Sequence, residues 1–237
     1  MLLKNLFFGI TKFVLPHRCI SCSELTEQGN GLCSRCFSKL NFISSPYCQI
    51  CGFPFEFDME GQYECGKCIS EPPKYELARS LFKFDPYSKK IIHGFKYNDQ
   101  TSSAKLFAKL LFVRYKDDFK DIDLIVPVPM NRFKRVFRNY NPPQLLGKQL
   151  STAFSRNQVP DLLIKSKWTK PQTSLSRKQR KENLVGSLHI NKKYDVKNKV
   201  ILLVDDVRTT GVTSNTCSSI LKKAGAKSVK LLTIGLT

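Results

Sequence analysis

At 237 residues with 41% hydrophobic content, the chain is long enough for one full domain and a smaller one, and its composition excludes a disordered polymer. No apolar run approaches the roughly 20 residues that span a bilayer, so a membrane-spanning helix is excluded as well. The net charge is +20, yet residues 1–70 hold six Lys/Arg against six Asp/Glu, so the whole excess lies in 71–237.

Met1 to Leu15 is apolar but broken by Lys4 and Lys12. With no small-residue cleavage site after it, the stretch predicts an amphipathic helix rather than a signal peptide. Four C-x-x-C pairs follow: Cys19/Cys22, Cys33/Cys36, Cys48/Cys51 and Cys65/Cys68. This spacing lets two thiolates of one knuckle reach a single tetrahedral ion, so four knuckles predict two zinc sites of four cysteines each. A reducing compartment favours metal over disulfides, and closed four-sulfur sites are structural rather than catalytic. Pairing of successive knuckles and crossed pairing of alternate ones are both open. Cys217 stands alone on a predicted helix.

Glu71-Pro72-Pro73-Lys74 breaks regular structure and predicts a boundary between a domain over 1–70 and one over 71–237. Leu77–Phe84 reads as a strand, Ser88–Tyr97 as a short basic helix and Lys105–Tyr115 as a longer one. Asp123–Met130 is a buried strand ending at Pro127 and Pro129, after which Asn131–Asn141 is a loop carrying Arg132, Lys134, Arg135 and Arg138. Pro142 suits the first turn of a helix that runs to about Phe154. Between Leu124 and Lys181 there are thirteen basic residues and one acid, Asp161, a balance that attracts polyanions. Thr169–Leu188 has no apolar face and predicts a mobile basic loop with Lys170, Gln172, Arg177, Lys178, Arg180 and Lys181. Trp168, just before it, offers a surface on which a base could stack.

The stretch Val200–Thr213 is the most informative. Five apolar residues predict a strand buried on both faces; Asp205 and Asp206 end it, and Thr209, Thr210, Gly211 and Thr213 precede a helix over 214–225. Loop amides, hydroxyls and a helix N-terminus make an anion cradle, in which Gly211 permits positive φ or a close approach of ligand to backbone. Carboxylates beside such a cradle would repel its phosphate, so sugar hydroxyls or metal-bound water are their natural partners. A closing strand is expected over Ser228–Ile234.

The Asp-Asp-x-x-Thr-Thr-Gly-x-Thr string resembles the 5-phosphoribosyl-1-pyrophosphate (PRPP) motif of type I phosphoribosyltransferases. That resemblance implies an α/β fold with a Rossmann-like parallel sheet, ribose hydroxyls held by Asp205 and Asp206, and the 5′-phosphate held by Thr209, Thr210, Gly211 and Thr213. Together with the four knuckles, Thr169, Gln172, Arg180 and Asn183, and Arg138-Asn139-Tyr140-Asn141-Pro142 after a Pro-Val-Pro strand end, nearly the whole chain resembles the ComF family. The family's Arg, Gly, aromatic, Asn, Gln order is kept here at Arg138, Tyr140 and Asn141, whereas Asn139 and Pro142 replace its glycine and glutamine. The resemblance implies a double zinc ribbon on a phosphoribosyltransferase-like domain in the cytoplasm, and an association with DNA uptake in natural transformation. PRPP with Mg²⁺ is the expected ligand, Arg132, Arg135 and Arg138 the expected pyrophosphate loop, and Gln172, Lys178, Arg180 and Lys181 the expected contacts to single-stranded DNA. Partners in the DNA-uptake machinery are expected too. An active transferase to a nitrogen acceptor, without a nucleic-acid role, is the alternative; no residue stands out as its general base.

Overall fold

Val200–Val204 has no polar residue on either face, and a computed structural model places this run in the middle strand of the main sheet. The structure describes residues 18–26, 31–57, 61, 63–97, 103–130, 140–165 and 187–237. Two single helical turns, α1 (Ser34–Phe37) and α2 (Gly66–Ser70), lie in the cysteine-rich part. Then come β1 (Leu77–Lys83), α3 (Pro86–Tyr97), α4 (Ser103–Tyr115), a 3-10 turn over Lys116–Phe119, β2 (Leu124–Pro127), α5 (Pro142–Phe154) and β3 (Asn157–Gln158). After β4 (Leu163–Lys165) and β5 (Leu188–Ile190) the chain ends with β6 (Val200–Arg208), α6 (Val212–Lys223) and β7 (Ser228–Leu236).

The main sheet has the order β1-β7-β6-β2-β3 and every pairing in it is parallel, while β4 and β5 form a separate antiparallel pair. Side chains alternate between the two faces. Leu202, Val204, Leu232 and Ile234 pack with Phe82, Phe95 and Phe107 under α3, α4 and α5. Ile201, Leu203, Val229 and Leu231 pack on the other face with Leu221 of α6, with Leu163 and Leu188 of the small sheet, and with Cys48, Cys51 and Cys68.

The expected elements differ mainly at their ends, whereas β3, β4 and β5 have no counterpart in the sequence expectation, and Leu188, expected in the basic loop, opens β5 because it pairs with Lys165. Helix α3 starts at Pro86 because Asp85 and Ser88 cap it reciprocally: the Ser88 amide donates to Asp85 Oδ1 at 2.6 Å and the Asp85 amide to Ser88 Oγ at 2.9 Å. Strand β6 does not stop at the acids. It continues to Arg208 because β7 pairs with it as far as Leu236, with Asp205 opposite Thr233 and Val207 opposite Gly235.

The cysteine-rich part clasps the β1 edge. Ala78 N donates to Ile50 O at 2.7 Å, Ile43 N to Leu81 O at 2.9 Å and Lys83 N to Asn41 O at 3.0 Å, so residues 41–50 cover backbone groups that an open edge would expose. Gly52 is required there. Its φ is +67°, and a Cβ on it would stand 2.7 Å from Ala78 O.

Candidate ligand site and metal clusters

From β2 the chain crosses to β3 on one side of the sheet, and from β6 it crosses to β7 on the other. The carboxyl ends of adjacent β2 and β6 therefore diverge into a crevice, the place where open α/β sheets bind ligands. Asp205, Asp206 and the loop before α6 lie at this end of β6.

The two acids are half-buried and their local bonds fix them. Asp206 N donates to Asp205 Oδ1 at 2.9 Å and Val207 N to Asp206 Oδ1 at 2.6 Å. Asp206 Oδ2 also takes an ion pair from Lys96 Nζ of α3 at 3.1 Å. Burial, with the Asp206 charge beside it, pushes the Asp205 carboxyl up to about 8, against the opposing pull of the Asp206 amide and Lys96. The acid pair thus holds a proton that a carboxylate in water would have lost.

Gly211 turns the chain into α6 with φ +75°, the left-handed region that side chains resist. A Cβ there would meet nothing within 4 Å, so the space above this turn is open and the requirement for glycine is conformational. Thr210 Oγ1 accepts from Val212 N at 3.5 Å, and Asn215 N bonds Gly211 O at 2.8 Å to start the helix. Thr209 is exposed while Thr210, Gly211 and Thr213 are half-buried, so the loop joins hydroxyls to a helix N-terminus at one rim of the crevice.

The eight N-terminal cysteines form two clusters, Cys19/Cys22/Cys33/Cys36 and Cys48/Cys51/Cys65/Cys68, with all sulfur atoms of a cluster within 4.8 Å of one another. The geometry selects pairing of successive knuckles. Cys22 and Cys33 Sγ are 3.7 Å apart, and Cys51 and Cys65 Sγ are 3.6 Å apart. Tetrahedral Zn–S bonds of about 2.3 Å require sulfur separations of about 3.8 Å, so both clusters fit zinc. The Cys33 amide donates to Cys19 Sγ at 3.4 Å, and the Cys51 and Cys65 amides to Cys48 Sγ at 3.4 and 3.3 Å, as acceptor thiolates need.

Comparison with known proteins matches residues 10–69 to the double zinc ribbon domain and residues 144–234 to the phosphoribosyl transferase domain. Competence protein F of Haemophilus influenzae is 30% identical over 221 residues, which cover 90% of this chain and 94% of that protein. The chain belongs to the ComF family. Its further relatives include the DNA utilization protein YhgH of Escherichia coli, 26% identical over 92% of this chain and 96% of that one. Competence protein ComFC of Streptococcus pneumoniae is 29% identical over 89% of this chain and 90% of that one.

For this ComF protein the structure brings Asp205, Asp206, Thr209, Thr210, Gly211 and Thr213 to one end of β6 and all eight cysteines into two clusters. Arg132, Arg135 and Arg138, the expected pyrophosphate loop, lie outside the described residues, as do Gln172, Lys178, Arg180 and Lys181. Met1–Leu15 and Trp168 lie outside them too. Sequence reasoning missed Lys96, which it placed on a basic helix with no task, and Arg208, which it placed after the strand. No local signal marks either; both are defined by contacts to distant segments.

Proposed function

We propose that this ComF-family chain binds PRPP in the β2/β6 crevice and single-stranded DNA on its basic surface, and serves DNA uptake from the cytoplasm with partners in the uptake machinery. The observation that carries the first part is the placement of Asp205 and Asp206 beside the Thr209–Thr213 turn at the switch point of the sheet. The acids would accept hydrogen bonds from ribose hydroxyls, and Thr209, Thr210, Thr213 and the amides around Gly211 would donate to the 5′-phosphate. An oxygen-only pair of carboxylates fits the water shell of a hard cation, and Mg²⁺, brought in by the pyrophosphate, would neutralise that group's charge. Arg132, Arg135 and Arg138, which follow β2 in sequence, are the proposed contacts to the pyrophosphate.

Support for DNA comes from charge. The three helices over one face, α3, α4 and α5, carry seven Lys/Arg and no acid, and Lys89, Lys90, Lys105, Lys109, Arg114 and Lys148 are exposed. One diphosphate cannot engage that many cations together with Lys178, Arg180 and Lys181, and the surplus matches a longer anion. The relatives named for competence and DNA utilization support the same reading.

The match to the phosphoribosyl transferase domain favours a second reading, transfer of the phosphoribosyl group to a nitrogen acceptor. The ribose would become oxocarbenium-like as pyrophosphate leaves, and the basic loops would stabilise the leaving charge. Titration calorimetry with PRPP and Mg²⁺ tests the binding site, and pyrophosphate release with candidate bases, with and without single-stranded DNA, separates the two readings. Absence of any heat with PRPP would overturn the binding site; release of pyrophosphate with a base alone would favour the transferase.

A further inference from the structure

Arg208 is the last residue of β6 and the one before Thr209, and it is buried to 7% exposure. Buried cations elsewhere have carboxylates: Arg79 Nε bonds Asp118 at 2.9 Å and Lys230 Nζ bonds Asp121 at 2.6 Å. Among the described residues Arg208 has none. Its Nη1 donates to Tyr75 OH at 3.0 Å, its Nη2 to the carbonyl of Cys51, and its buried Nε has no partner. Cys51 belongs to the second cluster, whose four thiolates around one divalent ion leave a net charge of about −2. That cluster is the counter-charge in reach of the guanidinium, and an isolated buried cation would otherwise be strongly disfavoured.

A second tie runs from the same knuckle. The chain leaving Cys68 passes through α2 to Lys74 and Tyr75; Tyr75 meets Arg208 just before the loop, and Lys74 N donates to Asn215 Oδ1 at 2.8 Å just after it. The segment behind the second cluster therefore grips both flanks of residues 209–214. The first cluster has no such link among the described residues. It meets the sheet domain instead near the start of α3, where Ser21 Oγ donates to Tyr87 OH at 2.9 Å and Ile20 and Leu32 pack on the core of that face.

We infer that the second cysteine cluster is the foundation of the phosphate cradle, with Arg208 as the positioning residue that joins them. Charge and the Cys51 carbonyl fix Arg208, and Arg208 fixes the strand end from which Thr209–Thr213 spring. The effect on ligand affinity rests on the reading that this loop holds the phosphate of PRPP; the effect on the loop itself does not.

The test uses the full zinc-loaded chain and reads hydrogen exchange of amides 207–214 together with PRPP–Mg²⁺ affinity. Cys68→Ser, which loses the second zinc, and Arg208→Gln, which keeps all eight cysteines, should both speed exchange in this segment and weaken PRPP by roughly tenfold. Cys36→Ser, which loses the first zinc, should leave exchange there within about twofold of the parent. By reciprocity, saturating PRPP should raise the chelator concentration that removes one of the two zinc ions at equilibrium, and Arg208→Gln should abolish that protection. Parent-like exchange at 207–214 in Arg208→Gln, or an equal effect of Cys36→Ser, overturns the inference. If Cys68→Ser fails to fold, Arg208→Gln decides. If the parent binds no PRPP, the ligand reading falls and exchange alone still decides the coupling.

Discussion

Lys96 Nζ, one residue from the end of α3, stands 3.1 Å from Asp206 Oδ2 at the end of β6. This contact places a cation beside an acid pair whose other member is held protonated near neutrality. A carboxylate in an unfolded chain titrates near 3.9, whereas Asp205 titrates at about 8 in the fold. Its folded value is raised, so its contribution to stability is complete below pH about 4 and is lost as pH rises through about 8. Under the proposed reading, PRPP binding should have the opposite slope, because ribose hydroxyls would need the ionised acceptor. PRPP affinity should rise between about pH 6 and 8 with release of a proton, and Lys96→Met should move the midpoint to higher pH. Calorimetry in two buffers of different ionisation enthalpy counts that proton; none released at pH 7 would contradict the assignment.

Asp205→Asn with Asp206→Asn should weaken PRPP binding, each lost charged hydrogen bond being worth roughly 1.5–3 kcal/mol. The same change relieves the repulsion that begins as Asp205 ionises beside the Asp206 charge, so the ligand-free double variant should melt higher than the parent at pH 8. Thermal unfolding with and without PRPP reads both signs together. A variant that melts lower and binds equally well would mark the acids as structural.

Much of this arrangement is legible in the sequence, for a physical reason. Residues 200–213 encode strand, acids, turn and helix within one continuous stretch, and two knuckles of fixed spacing can meet only at a common centre. What stays hidden depends on partners far away in the chain. Strand β3 is two residues long and exists because Leu124 and Ile125 offer it a parallel edge. Strand β6 passes the acids because β7 pairs with it that far, a register no local pattern records. The pairing of the knuckles, the pull of Lys96 on Asp206 and the burial of Arg208 under Cys51 are likewise decided by tertiary contact.

Gly211→Val should destabilise the chain by about 1–2 kcal/mol through the left-handed turn alone, since the surrounding space is open. Gly211→Ala, which adds one methyl, should separate conformation from obstruction: it should lower the melting temperature and weaken PRPP less than valine does. Equal PRPP affinity in all three proteins would remove the turn from the binding site.

Protein purified without added metal should carry about two zinc ions per chain, and Cys19→Ser should lose one of them. Elemental analysis gives the ratio directly. Because residues 41–50 cover β1, chelation of both ions should also loosen the sheet edge, visible as faster exchange at the amides of 77–83.

If DNA tracks the basic surface, single-stranded oligonucleotides should bind with a log–log salt slope of about −0.7 per phosphate contacted. Replacing Lys178, Arg180 and Lys181 together by glutamine should flatten that slope by about 2. Salt-titrated fluorescence anisotropy is the measurement, and no binding at low ionic strength would remove the nucleic-acid half of the proposal.

The order of strands sets a schedule for synthesis. β1 lies beside β7, and β6 between β7 and β2, so the two strands that join the halves of the sheet leave the ribosome after both β1 and β2. Until then β1 has, among the described residues, the stretch 41–50 of the cysteine-rich part to pair with, and that stretch emerges before it. A metal-loaded strap on a half-made sheet would hold an aggregation-prone edge in check during translation. It also makes the chain intolerant of premature stops: a product ending anywhere before Ser228 lacks the strand to which β1 and β6 both pair, and should be found among misfolded, degraded species rather than as a smaller working protein.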